Sequence, residues 1–395
     1  MGQTKFNFKK IKLNLAKQFS YQESNKDHKF VKYGSDNKFP FHLTELYNKS
    51  SIHGACVNAI VEGIIAGGLT ANEEIYIERA NPKETWNDVF EKVALDFKLF
   101  GSFALEIIYS NDRSRIDIYH VDFSTVRAGE KDHHGHIHEY YISNDWNEAL
   151  AWTKTLDKDV IELPAYDPAK RLEQPHQLYV HRNYRPGQEY YPLPDYVGGL
   201  RVIELDTEVD NFHVNNIRNG LAPSLAITTF TNGSDDQLRS IEEQLNSNYG
   251  GSDNAGSLMY LDVDSPENAP QIVPIPQNGA DGYYTTINDT VVQKILTAHR
   301  ITSPMILGIK TEGQLGGRTE VIDAYLLLQN TVFQPFQQQI LGCLESILQF
   351  NYPDAVLGVE TKQLYDDGTV EEEVITDTDT TDAEQTDIEQ PELIA

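Results

Sequence analysis

Gly101 separates two hydrophobic periods, and the change between them constrains the fold more than any other feature of these 395 residues. Before it, Trp86, Val89, Phe90, Val93, Ala94 and Phe97 recur at i, i+3 and i+4, the spacing that gives a helix one apolar face. Asn81-Pro82-Lys83-Glu84 predicts where that helix starts: an Asn cap, a Pro in the first turn and an acid near the positive end of the dipole. After Gly101, residues 103–109 read with a period of two, 110–114 is turn sequence, and 116–121 supplies an antiparallel partner. A chain that combines amphipathic helices with antiparallel hairpins belongs to the α+β class.

The same reading extends along the chain. Leu43, Leu46 and Tyr47 mark a short helix after Pro40. Ser50 or Ser51 caps a second, in which Cys56, Ala59, Ile60, Gly63 and Ile64 recur before Gly67-Gly68 ends it. Residues 124–128 and 137–142 form a second hairpin, turning near His134-Gly135, and 140–200 reads as short strands and loops. Residues 200–217 are helical, stopped at Asn219-Gly220. A helix over 234–251, strands at 257–262 and 271–275, and a helix over 283–299 follow. Residues 319–350 form one long helix. Pro335 inside it predicts a kink, because Pro lacks an N–H and crowds the preceding turn.

Charge narrows the function. The formal net charge is −28, unevenly placed. Residues 1–33 carry eight Lys against Glu23 and Asp27, whereas 351–395 carry fourteen acids against Lys362. The first 36 residues read as a basic arm, partly mobile or docked on a neighbour. Residues 351–395 read as an acidic, disordered tail, with too little apolar surface after Asp366 to offset ordering. Affinity for duplex DNA comes from Lys and Arg displacing counterions, so an acidic body, unless its bases concentrate on one surface, argues against a repressor or nuclease. It suits a surface that DNA slides past.

Cys56 and Cys343 are expected to be free thiols in a reducing compartment. No apolar run approaches the roughly 18 residues of a membrane span, and no signal-peptide h-region follows the basic N-terminus. The sequence contains no Walker-type phosphate loop, no G-x-S-x-G elbow and no catalytic Cys-His signature, so no catalytic residue and no cofactor are expected. One enzyme reading stays open. His133, His134, His136 and His138 lie within six residues, and on a strand His136 and His138 would share a face as metal ligands. The same stretch also reads as a polar hairpin turn.

Five separated pieces resemble the portal proteins of tailed phages. They are Lys38-Phe39-Pro40 through Tyr47 with 50–53 and 59–68, then Phe100-Gly101-Ser102-Phe103 through Glu106. Asn219-Gly220 with Ala222-Pro223-Ser224 follows. The last two are His299-Arg300-Ile301 with Ser303-Pro304 and Leu307-Gly308, and Glu320 through Val332 to Gln334-Pro335 and Ile340. Their order from Phe39 to Phe350 carries the likeness. One departure is the little sequence left after Phe350 to build a helical crown.

The resemblance implies a non-enzymatic subunit of a ring, usually of twelve copies, around a DNA channel at one capsid vertex. It implies a wing over 37–233, stem helices at 234–251 and 283–300, and a clip at 252–282. A tunnel-loop region would span 301–318, and a long kinked helix 319–350. Lys310, Thr311, Glu312, Gln314 and Arg318 are the candidate DNA-facing residues, with an ordinary interhelix loop as the alternative. Double-stranded viral DNA, the terminase large subunit, the major capsid protein and a head–tail adaptor would be the partners. The location would be the virion, reached by assembly in the host cytoplasm, with no membrane. Another viral adaptor or capsid protein is the competing structural reading.

Overall fold

The computed structural model describes residues 23–24, 29–146, 160–218, 223–229, 257–262, 280–309 and 318–362. Strands β1 (Glu23–Ser24) and β2 (Lys32–Tyr33) pair antiparallel ahead of helices α1 (Phe39–Lys49) and α2 (Ser51–Ile65). Ser50 caps α2, its side chain accepting from His53 N. Strand β3 (Leu69–Ala71) precedes helix α3 (Trp86–Phe100). The end of the expected basic arm is therefore part of the fold: Phe30, Val31 and Tyr33 are buried on the chain's own core.

Helix α3 starts later than the sequence suggests. Thr85 and Asp88 form a reciprocal capping box, Thr85 Oγ1 accepting from Asp88 N and Asp88 Oδ2 from Thr85 N. Asn81 caps nothing helical. Its Oδ1 accepts from the amides of Lys83 and Glu84, and its Nδ2 donates to Ile118 O at 2.8 Å, pinning a turn to the sheet. At the other end Gly101 adopts φ +75°, and a Cβ there would lie 2.8 Å from Leu193 O, so only glycine makes the helix-to-strand switch.

Beyond the switch, β4 (Ser102–Tyr109) pairs antiparallel with β5 (Ile116–Val121) on one side. Strands β6 (Val126–Ala128), β7 (Glu139–Ile142) and β8 (Ile161–Pro164) make a second antiparallel sheet, the β6–β7 hairpin being the expected one. Strand β9 (His176–Arg182) returns to the free edge of β4. One core cluster runs from Val31 to Leu357 and joins α1, α2, α3 and the central sheet. Arg127 is wholly buried beside a second, smaller cluster of Phe30, Tyr141 and Trp146. Its guanidinium donates to Asn37 Oδ1, Asn37 O, Ser124 O and Val126 O, and lies 5.0 Å from the Trp146 ring. Burial pushes its pKa down to about 10.

Helix α4 (Leu200–Arg218) follows, then two strands, β10 (Pro223–Thr229) and β11 (Ser257–Asp262), which pair parallel. Helix α5 (Ala280–Ala298) leads to the last helical stretch: α6 (Arg318–Leu328), one π-turn (Gln329–Phe333) and α7 (Gln334–Leu348). The irregularity that Pro335 predicts is this π-turn, just ahead of the position where Pro cannot donate to the preceding turn. It seats Phe333 in a notch made by Gly63, whose missing Cβ would fall 2.2 Å from the ring. Gln337 Nε2 donates to Ile64 O at 2.9 Å, tying α7 to the end of α2.

The acidic tail begins later than residue 351. Ala355 and Leu357 are buried, and β12 (Leu357–Val359) pairs antiparallel with β3. These apolar residues gain burial, and the expected tail beyond residue 362 lies outside the described residues. Cys56 and Cys343 are both free thiols, the first buried and the second half-buried. Among the described residues, no helix is long and apolar enough to cross a membrane.

Candidate functional site at the root of a helix pair

Helices α4 and α5 pack against each other. The start of one meets the end of the other, since a Cβ on Gly199 would lie 2.5 Å from Ala298 Cβ, so the two run antiparallel. Gly199 is what lets the backbones approach this closely. The expected first stem helix, 234–251, lies outside the described residues, and the described partner of α5 is α4.

The pair is rooted in the body by polar contacts that the sequence does not announce. Asp206 of α4 accepts from Ser50 Oγ at 2.7 Å, and Glu204 lies 3.0 Å from His42 Nε2. At the end of α5 the chain turns through Arg300, a non-glycine residue at φ +60°. Arg300 Nη2 donates to Asp195 Oδ2 at 3.0 Å, while Lys98 Nζ of α3 donates to Asp195 Oδ1 at 2.8 Å. One carboxylate thus holds two cations, and Lys98 is wholly buried.

Beside this clasp, His53 Nδ1 of α2 lies 2.8 Å from His299 Nε2, and the Tyr196 ring stacks on His299 at 4.7 Å. Burial, and secondarily the Lys98 charge, pushes the His53 pKa down to about 3, and His299 is likewise held well below its usual range. Both rings are therefore neutral at neutral pH. Burial also lowers the Lys98 pKa, with Asp195 opposing the shift. A cleft of about 310 Å³ opens at this root, lined by Asp195, Tyr196, Val202, Lys294 and Thr297 among others.

The polar loop after α5 is framed on both sides. Residues Pro304–Leu307 form a 3-10 turn capped by Ser303, and Gly308 at φ +75° ends it. Thr302 Oγ1 donates to Ala324 O of α6 at 2.8 Å, so both ends of the loop spring from one packed unit. Lys310, Thr311, Glu312 and Gln314 lie outside the described residues. Arg318 begins α6, and only its backbone is described.

The histidine-rich stretch is an exposed turn. Asp132 accepts from the amides of His134 and His136 at 2.8 and 2.9 Å and lies 2.8 Å from His138 Nε2. These contacts, the His136 amide foremost, push the Asp132 pKa down to about 2. The carboxylate therefore organises the turn. Among the described residues, no three His, Cys, Asp or Glu side chains are grouped to hold a metal ion.

The model of the phage portal protein family matches residues 74–346, from the turn before α3 to the last helix. The chain belongs to the phage portal protein family. Among relatives of this portal-family chain, an uncharacterized protein of Rickettsia bellii (strain RML369-C) is 24% identical over 247 residues. That alignment covers 59% of this chain and spans 59% of the relative's length. The fold is similar to a chain in the virion of a native gene transfer agent (GTA) particle, at TM-score 0.53 and 14% identity. That match covers 82% of this chain and 84% of the other. It is also similar to a chain in the neck of the native GTA particle computed with C12 symmetry. There the TM-score is 0.51 at 14% identity, with 81% and 83% covered. At such identity the likeness is one of fold.

Sequence reasoning passes over Lys98, Asp195, His53 and His299. Lys98 carried one local signal: it sits between Phe97 and Leu99-Phe100, in a stretch where solvent-facing positions would be polar. The histidine pair, 246 residues apart, carried none.

Proposed function

We propose that this chain forms a ring of about twelve copies around a channel for double-stranded viral DNA at one capsid vertex, serving packaging, ejection and head–tail joining. Membership of the portal family carries the reading, and the fold likeness to a neck computed with C12 symmetry supports the copy number. Its role is structural rather than enzymatic, and it acts in the virion after assembly in the host cytoplasm. The terminase large subunit, the major capsid protein and a head–tail adaptor are its partners.

Within the ring, residues 234–251, which lie outside the described residues, and 283–300 form the stem, and the contact of Gly199 with Ala298 brings α4 to its root. Residues 252–282, which include β11, form the clip. The loop 310–317 faces the duplex. Lys310 and Arg318, with Glu312 between them, give sparse phosphate contacts that touch DNA without trapping it. The test is the Lys310→Ala, Arg318→Ala double variant in a packaging assay. The expected result is intact particle assembly with impaired DNA packaging or retention. Unchanged packaging and retention would remove the loop from the channel wall.

A further inference from the structure

Three consecutive backbone amides converge on one carboxylate. Glu23 Oε2 accepts from Glu189 N at 2.9 Å, and its Oε1 accepts from Tyr190 N at 2.8 Å and Tyr191 N at 2.7 Å. Successive N–H groups aimed at one point form a nest, a concavity of fixed partial positive charge that selects anions. The same loop walls a pocket of about 360 Å³ lined by Lys131, Arg182 and Arg185, with Glu189 as the acid among its lining residues. Tyr190 lies 4.7 Å under the Lys131 ammonium, and Tyr184 is 88% exposed beside it. On a chain of net charge −28, three bases thus gather around an anion cradle.

Glu23 sits on β1, which adds only two residues of ladder to β2. Strand β2 is held independently: Tyr33 is wholly buried, stacks on Tyr191 at 4.2 Å and donates to Pro192 O at 2.6 Å. Phe30 and Val31, just ahead of β2, are buried as well, and Val31 N donates to Ala128 O at 2.8 Å, so withdrawal of Glu23 leaves residues 30–33 in place.

We propose that the nest and its basic rim are a receptor for an acidic peptide. Glu23 is the occupant supplied by the chain itself, and an acidic segment of another protein displaces it. This goes beyond the ring reading and does not depend on it. The seating of Glu23 favours a peptide over a nucleic acid, because a planar side-chain carboxylate already satisfies all three amides.

The test uses the full chain, a fluorescent oligo-glutamate peptide, and tryptic cleavage after Lys26 as the measure of Glu23 withdrawal. Glu23→Ala removes the internal competitor, so peptide affinity should rise about ten-fold and cleavage should accelerate by a similar factor. Glu23→Gln keeps the shape without the charge and should behave alike. The Arg182→Ala, Arg185→Ala double variant should weaken the peptide about ten-fold with cleavage unchanged in its absence. Faster cleavage in the Glu23 variants with no gain in affinity would reduce the contact to a structural clamp and overturn the proposal. Peptide binding unaffected by loss of both arginines would overturn it too, as would a single-stranded oligonucleotide binding in preference to the peptide.

Discussion

His53 Nδ1 and His299 Nε2 share a hydrogen bond of 2.8 Å that ties helix α2 to the end of helix α5. The outer nitrogens, His53 Nε2 and His299 Nδ1, are buried without a hydrogen-bond partner. One imidazole donates and the other accepts, so the accepting ring must be neutral, and burial beside Lys98 keeps both rings so. Lys98, Arg300, Asp195 and Tyr196 surround the pair, and a further cation there would face two already present.

The pH dependence follows. Above about pH 6.5 both rings are neutral in the folded and unfolded chain, and they contribute no slope. Below it the unfolded chain takes up protons that the fold refuses, since His53 titrates only near 3 when buried. Stability is therefore lost as pH falls from 6.5, by about 1.4 kcal/mol per pH unit for each ring. Chemical unfolding of wild type and His53→Gln between about pH 6.5 and 4.5 checks this. The variant should show the shallower slope, and equal slopes would exclude the pair as its source.

The Asp195 clasp predicts an asymmetry. Asp195→Ala leaves the buried Lys98 ammonium without a counter-charge, and should cost about 3–5 kcal/mol of unfolding free energy. Lys98→Met leaves Asp195 paired with Arg300, and should be neutral to within about 1 kcal/mol or stabilising. Denaturant titration of both variants separates the outcomes. Equal losses would show that Lys98 is less desolvated than its burial implies.

Gly63 and Phe333 predict a suppressor pair. A methyl at Gly63 meets the Phe333 ring, so Gly63→Ala should cost about 1–3 kcal/mol by overpacking. Phe333→Leu in the same chain should recover part of that loss. A double-mutant cycle on thermal unfolding reads the coupling, and strict additivity would mean that the ring moves aside freely.

Arg127 is expected to resist its conservative exchange. Its fork makes four hydrogen bonds with no carboxylate among their acceptors. Lysine offers three donors in another geometry, so Arg127→Lys should leave acceptors unsatisfied and cost about 2–4 kcal/mol. Urea midpoints with an unchanged m-value would measure it, and a loss under 1 kcal/mol would contradict it.

Local chemistry was the legible part of this fold. The stripe from Trp86 to Phe97, the switch at Gly101, the Ser50 cap and the Pro335 irregularity each follow from a few neighbouring residues. Asn81-Pro82 misled because a good cap sequence also makes a good turn, and the Thr85–Asp88 box competed successfully for the helix start. Long-range pairing was not legible. Nothing in Leu357-Gly358-Val359 names Leu69–Ala71 as its partner, and nothing in Lys98 names Asp195. Such contacts depend on which surfaces the core brings together. The family likeness was legible because it rests on the order of many pieces.

The mass and symmetry of the purified assembly test the ring most directly. Native mass spectrometry joined to class averages of single particles should give a mass close to twelve chains and end-on views with a central hole. A stable monomer, or a closed assembly without a hole, would contradict the proposed channel.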